Sequence, residues 1–313
     1  MPLHQASGRF LPGLLLSSTT MLLWGALPLI LEGALESLDA VTLTWFRMAF
    51  SGAVLVAWLG RRGQLPRLRQ LAPRGRGLLA VATLFLAANY LSYLLGLERT
   101  NAAASQVMIQ AAPLLLALGG IVVFREPFAR VQWWGLGLLA LGMGAFFAEE
   151  VRQLVAGLDR YLTGALFIGV ASITWAVYGM AQKQLLLWLP SQAIMLCIYL
   201  GSAVLFTPGA APGLLLGLDA AAWILVLLAS LNTLVAYGTF AAALEHWEAS
   251  RVAAILALTP LATLAFARAA AALWPGFVNT STASPAAFAA AAVVVAGSLL
   301  VALGQPARPE SGP

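Results

Sequence analysis

Residues 90–114 read YLSYLLGLERTNAAASQVMIQAAPL, and residues 237–261 read YGTFAAALEHWEASRVAAILALTPL. Laid over each other at an offset of 147 (237 − 90, and again 260 − 113), they match at Tyr90 and Tyr237, at Leu97-Glu98 and Leu244-Glu245, at Ala102 and Ala249, and at Pro113-Leu114 and Pro260-Leu261. Ala and Leu coincide readily in apolar helices, but Tyr, Glu and Pro are uncommon there, so the match indicates an internal repeat. Earlier in each copy Trp24-Gly25 has a counterpart in Trp175-Ala176, at an offset of 151 (175 − 24), a slip that a difference in loop length produces.

The sequence around this repeat is that of a membrane protein. Of 313 residues 61% are hydrophobic and 9% charged, whereas a soluble domain carries about 25% charged residues. So few charges cannot cover a water-facing surface, and lipid must cover most of this one. A span needs about 20 apolar residues. The apolar runs place spans at roughly 12–33, 40–60, 77–97, 102–124, 131–149, 162–187, 191–208, 219–243, 249–273 and 285–304. Charges and helix breakers set several edges: Arg61-Arg62-Gly63 after the second, Pro73-Arg74-Gly75 before the third, Arg125-Glu126-Pro127 after the fourth, Pro190-Ser191 between the sixth and seventh, Pro208-Gly209 after the seventh and Ser284-Pro285 before the tenth. The first run is too long for a signal peptide's apolar core and reads as a span. The tail 305–313 is polar and Pro-rich, which predicts a disordered cytoplasmic segment.

The basic residues orient the chain. Placed with the N-terminus inside, the inner segments hold Arg9, Arg61, Arg62, Arg67, Arg69, Arg74, Arg76, Arg125, Arg130, Lys183, Arg251 and Arg308, and the outer loops only Arg99, Arg152 and Arg160. Arg47 and Arg268 fall inside spans and complete the 17. The inner excess puts both termini in the cytoplasm, and the composition suits a bacterial inner membrane. Basic residues clustered in short loops, without interleaved aromatics, do not describe a nucleic-acid surface. Each repeat has five spans, an odd number, so the two copies enter the membrane from opposite sides. The expected fold is an all-α membrane protein of ten transmembrane helices in two inverted five-helix repeats, 12–149 and 162–304. Inverted repeats around a midplane site are typical of secondary transporters.

Gly96-Leu97-Glu98-Arg99-Thr100-Asn101-Ala102-Ala103-Ala104-Ser105, followed by Pro113-Leu114-Leu115 and Phe124-Arg125-Glu126, resembles the EamA module of the drug/metabolite transporter superfamily. Trp24-Gly25 and Arg47 fit the same pattern, and the resemblance covers about 12–304. It implies two five-helix modules, ten spans, cytoplasmic termini, and carriage of amino acids and other small metabolites, often outward. The second module departs from the pattern: Leu273-Trp274 and a polar stretch, Asn279 to Ser284, stand where the first has Arg125-Glu126.

Several residues are candidates for the transport path. Pro113 and Pro260, near the middle of their spans, each lack an amide donor and crowd the preceding turn, so each is expected to kink its helix and act as a hinge; Pro28 is a weaker hinge candidate. At helical spacing Gln106, Gln110 and Pro113 share a stripe, as do Trp175, Tyr178 and Gln182, then Thr20 and Trp24, then Asn89 and Tyr93, and finally Ser230, Thr233 and Tyr237 with Asn232 adjacent. Polar groups in hydrocarbon turn inward, either as glue between helices or as cavity lining. Trp24, Asn89, Tyr93, Gln106, Gln110, Trp175, Tyr178, Asn232 and Tyr237 are therefore the candidate substrate-binding residues. Arg47 suits either a structural or a functional inward role, while Arg268 is expected to snorkel outward. Glu98 and Glu245 read as helix-end residues, and Gly135, Gly137, Gly142 and Gly144 as a close-packing surface.

No nucleotide-binding loop, metal cluster or nucleophile–base pair is visible, which argues against a cofactor, a bound metal or an enzyme. Neutral amides and aromatics suit small neutral or zwitterionic cargo. A drug, nucleotide sugar or sugar phosphate remains the alternative, and a non-transporting membrane protein a weaker one. The expected partners are a small-molecule substrate and the bilayer, with no nucleic acid, and the expected state is a monomer or weak homodimer.

Overall fold

A computed structural model describes residues 3–153, 158–273 and 285–303. Those residues are helical, without strands, and form twelve α-helices: α1 (Phe10–Leu35), α2 (Ala40–Arg61), α3 (Pro73–Leu97), α4 (Ala102–Met108), α5 (Ala111–Val123), α6 (Arg130–Gln153), α7 (Leu158–Leu185), α8 (Ser191–Phe206), α9 (Ala220–His246), α10 (Ala249–Leu256), α11 (Thr259–Leu273) and α12 (Pro285–Leu303). Eight stretches are long and apolar enough to cross a bilayer, two of them formed by the successive helices α4–α5 and α10–α11. The helices α6 and α12, where the sequence places spans five and ten, are not among these eight. The tail 305–313 and the polar stretch 279–284 lie outside the described residues.

Local chemistry explains the helix ends. Asp39 accepts from the amides of Val41 and Thr42 (3.0 and 2.9 Å), Asn101 from Ala104 (2.8 Å) and Asp219 from Ala222 (2.8 Å), each capping orphan amides at a helix start. Pro73 does not precede its helix, as the sequence reading has it. It starts α3, because a missing N–H is harmless in the first turn.

Helices from before residue 153 pair antiparallel with helices from after 158. Against α9, α1 sets Thr20 Oγ1 2.8 Å from Thr239 Oγ1, while Asn232 Nδ2 donates to the Leu23 carbonyl at 2.6 Å. Asn89 of α3 reaches the Ala171 carbonyl of α7 at 2.9 Å, and Trp45 of α2 donates to Thr207 beyond α8 at 3.2 Å. In the pair α6 and α12, Gln132 Nε2 donates to the Val301 carbonyl at 2.8 Å. A Cβ on Gly135 would stand 2.6 Å from the Gly297 carbonyl, and one on Gly142 2.8 Å from the Val294 nitrogen. Small residues let these two backbones touch, which is how helices associate where lipid offers no hydrophobic drive. Gly137 and Gly144, expected on the same surface, have nothing within 4 Å of their Cβ positions. They are two residues farther round the helix, about 200° away, and face outward.

The outward faces are apolar: Leu15, Leu141, Leu166, Val204 and Ile224 are all exposed. A continuous apolar exterior belongs in contact with lipid. Polar groups gather inside instead, where Thr20, Thr44, Ser51, Thr83, Ser172, Ser230 and Thr233 are buried.

Candidate functional site

The interruptions of the fourth and ninth sequence spans shape the centre. The helices carrying Pro113 and Pro260 break in the turn just before each ring, at Ile109-Gln110 and Ala257-Leu258. Proline withholds its own amide from the carbonyl four residues back and crowds that turn, so the defect lies N-terminal to the ring. The carbonyls concerned are re-satisfied locally. Ile109 O accepts from the Ala112 amide at 2.8 Å, and Leu256 O accepts from the Thr259 hydroxyl. Pro28 leaves α1 unbroken.

Between the two broken helices lies a cavity of about 620 Å³ including its mouth. From α1 it is lined by Trp24, Leu27, Pro28 and Leu31, and from α3 by Asn89, Tyr90, Tyr93 and Leu94. From α4–α5 come Gln106, Ile109, Gln110, Ala112 and Pro113, and Arg47, Trp175, Tyr237, Leu256 and Thr259 complete the wall. Seven of the candidate binding residues therefore meet around one space. Its floor is aromatic. The Trp24 ring lies edge-on to Trp175 (5.6 Å, 77°) and to Tyr237 (5.0 Å, 63°), and Tyr237 in turn contacts Tyr90 at 5.3 Å. Such pairs contribute about 0.5–1.5 kcal/mol each beyond burial.

The polar lining is neutral apart from Arg47. Asn89 is committed to the Ala171 carbonyl, Tyr93 OH is a long 3.5 Å from Gln106 Oε1, and Gln110 Nε2 donates to the Gln106 carbonyl at 3.1 Å. Gln110 Oε1 is buried with no partner among the described residues. Two candidates stand outside the lining. Tyr178 is buried behind the aromatic floor, against Tyr237 and Phe240, with its hydroxyl 3.4 Å from Met195 Sδ. Asn232 spends its amide on α1. Helical spacing puts Tyr178 on a polar stripe and Asn232 beside one, but does not say what stands in front of them. Pro113 lines the cavity and Pro260 does not.

The bundle is tied differently at its two ends. The cavity occupies the end holding the C-terminal half of α1 and the start of α4. There Glu32 Oε1 accepts from the Ala102 amide, the first of α4, at 2.5 Å. At the other end Glu126 follows Arg125, whose φ of 54° turns the chain sharply after α5. Its carboxylate receives the Lys183 ammonium, the Ala249 amide at 2.9 Å and the Ser250 amide at 3.1 Å. Both carboxylates thus sit at helix N-termini, where backbone amides and the helix dipole favour negative charge. The Glu126 tie joins the first half of the chain to α7 and α10 of the second. Lys183, which the orientation count places in an inner segment, lies near the end of α7 with its side chain 2% exposed. Sequence reasoning missed Glu32 and the Glu126–Lys183 pair. The only available signal was charge inside or beside an apolar run, which does not name a partner. Arg268, by contrast, is exposed.

The model of the EamA-like transporter family matches residues 11–147 and 162–303. An uncharacterized inner membrane transporter of Escherichia coli K12, YhbE, is 34% identical over 293 residues, covering 93% of this chain and 91% of its own. An uncharacterized transporter of Haemophilus influenzae is 32% identical over 290 residues, covering 93% and 94%. One solved crystal structure superposes with a TM-score of 0.70 at 18% identity, over 93% of this chain and 96% of that one, and so shares the fold. With two copies of the family's module spanning nearly its whole length, the chain belongs to the EamA-like transporter family.

Proposed function

We propose that this transporter is a secondary carrier of small neutral or zwitterionic metabolites, amino acids foremost, exporting them across the inner membrane by alternating access. The observation that carries the reading is the central cavity, closed on its floor by Trp24 from one half of the chain against Trp175 from the other. In this reading α6 and α12 also cross, giving ten spans in two inverted repeats with both termini cytoplasmic. Support comes from the antiparallel pairing of helices between halves and from the paired breaks before Pro113 and Pro260. Trp24, Trp175 and Tyr237 receive the apolar body of the cargo, and Asn89, Tyr93, Gln106 and Gln110 its polar groups. Tyr178 and Asn232 hold this wall from behind.

Alternating access follows from the unequal ends. The Glu126–Lys183 tie closes the end away from the cavity, and the broken helices are the flexible elements between the halves. Purified protein in proteoliposomes should show counterflow of some amino acids and none of sugar phosphates or nucleotide sugars. Uptake of the latter alone would overturn the cargo assignment. Failure of every compound in a broad metabolite screen would overturn the carrier reading.

A further inference from the structure

Arg47 is the largest fully buried side chain, 1% exposed, and it lines the central cavity. Its Nε donates to Thr233 Oγ1 at 2.9 Å, and its guanidinium carbon sits 4.8 Å from the Tyr90 ring centroid. The Thr233 hydroxyl itself donates to the Ala229 carbonyl at 2.9 Å, so it is a satisfied neutral group. Arg47 Nη1 is buried with no partner, and Arg47 forms no ion pair among the described residues. The contrast with Lys183, the other fully buried cation among the described residues, is direct: that ammonium has the Glu126 carboxylate. Arginine cannot shed its charge in a protein, and an intramembrane charge without a partner is costly. The guanidinium lies over the Tyr90 ring, which accepts no hydrogen bond from Nη1. Nη1, on a side chain that lines the cavity, remains for an acceptor.

We propose that Arg47 is the carboxylate-binding residue of this cavity and that the cargo carries one free carboxylate beside an apolar or aromatic body. The proposal rests on the carrier reading above and narrows its substrate class. The planar fork of arginine matches the two oxygens of a carboxylate. One cation among neutral amides and aromatic rings balances one negative charge, not the two of a phosphate monoester. An α-amino group on the same molecule finds the unpartnered Gln110 Oε1 and the faces of Trp24 and Trp175, which attract cations. The complete ligand is then an α-amino acid with an apolar side chain. Its decarboxylated amine would place a second cation beside Arg47.

The test is ligand-induced thermal stabilisation of the purified full-length protein. The probes are the protein amino acids and simple monocarboxylates, each accompanied by the corresponding amide and decarboxylated amine. Stabilisation confined to compounds with a free carboxylate is expected, with the amide binding about tenfold to a hundredfold more weakly, the loss of a charge-assisted hydrogen-bonded pair. R47K should keep the preference for acid over amide at reduced affinity, because it keeps the charge and loses the fork; R47Q should abolish the preference. Amides or amines that stabilise the wild-type protein as well as the acids overturn the proposal. So does an R47Q variant that still prefers acids, and so does a panel in which no carboxylate stabilises. The wild-type comparison needs no variant to fold. Counterflow of the same panel separates the two readings: transport of amines or neutral compounds alone removes the carboxylate role from Arg47 and leaves the carrier standing.

Discussion

Glu126→Gln should release the closed end of the bundle. Glu126 binds one ammonium and two amides at a place where it is 6% exposed and Lys183 2%. An amide side chain can still accept from Ala249 or Ser250, but it leaves Lys183 buried without a counter-charge. Removing one member of a buried pair typically costs 3–5 kcal/mol. The cost falls on the state in which this end is closed, since opening it gives Lys183 water. Taking about 3 kcal/mol, the ratio of closed to open molecules should fall by about a hundredfold. The assay is labelling of a cysteine at Ala112, on the cavity wall, by an impermeant maleimide in a Cys197→Ser background. Reagent is applied from the face bearing Glu126, which the basic-residue count assigns to the cytoplasm. Labelling should speed up in E126Q and return toward the parent rate in E126Q/K183M, where no lone charge remains. If E126Q inserts normally and labels no faster than its parent, or if the double variant is as open as the single, the tie does not hold this end shut.

Leucine at both Pro113 and Pro260 restores two amide donors and relieves two ring clashes, so insertion should be unimpaired while the initial transport rate per inserted molecule falls; an unchanged rate in the double variant would make the prolines packing features. Trp24→Ala removes an aromatic ring from the cavity floor and with it an aromatic contact to the cargo of about 0.5–1.5 kcal/mol, so half-saturation in counterflow should rise by up to about tenfold, with Trp24→Phe in between. The His4 imidazole, outside the spans, is held below its ordinary 6.5 chiefly by burial and then by the Lys183 charge, with Glu245 opposing. Its folded-state pKa is lowered, so stability is full above 6.5 and declines as pH falls from there toward the folded value. The amides of Ser7 and Gly8, which bond to the carbonyls of Glu245 and His246, should lose protection on acidification, measured against the intrinsic exchange rate at each pH, and H4Q should flatten that dependence. Reporter fusions after Arg62 and after Pro313 should both report cytoplasm.

How far the site could be read from the sequence varied residue by residue. Trp24, Asn89, Tyr93, Gln106, Gln110, Trp175 and Tyr237 share the cavity wall because helical period plus aversion to lipid turns such groups inward. Tyr178 obeys the same period, and Asn232 adjoins a stripe that does, yet both stand behind the wall. Periodicity defines which face of a helix is polar, but the depth of each residue depends on which neighbouring helix approaches and how closely. The close approach of α6 and α12 shows the same limit: Gly135 and Gly142 touch α12, whereas Gly137 and Gly144 do not.

By itself the sequence determined the membrane class, the helix positions and the repeat, because hydrophobic run length, proline and charge act locally along a chain. Charge partnership was decided only by tertiary structure. Glu126 finds Lys183 57 positions away and the start of α10 123 positions away, while Arg47 meets Thr233 across 186 positions and gains no carboxylate among the described residues. Inside a bilayer a charge is governed by what stands within a few ångströms of it, and no local pattern records which distant segment folding brings there.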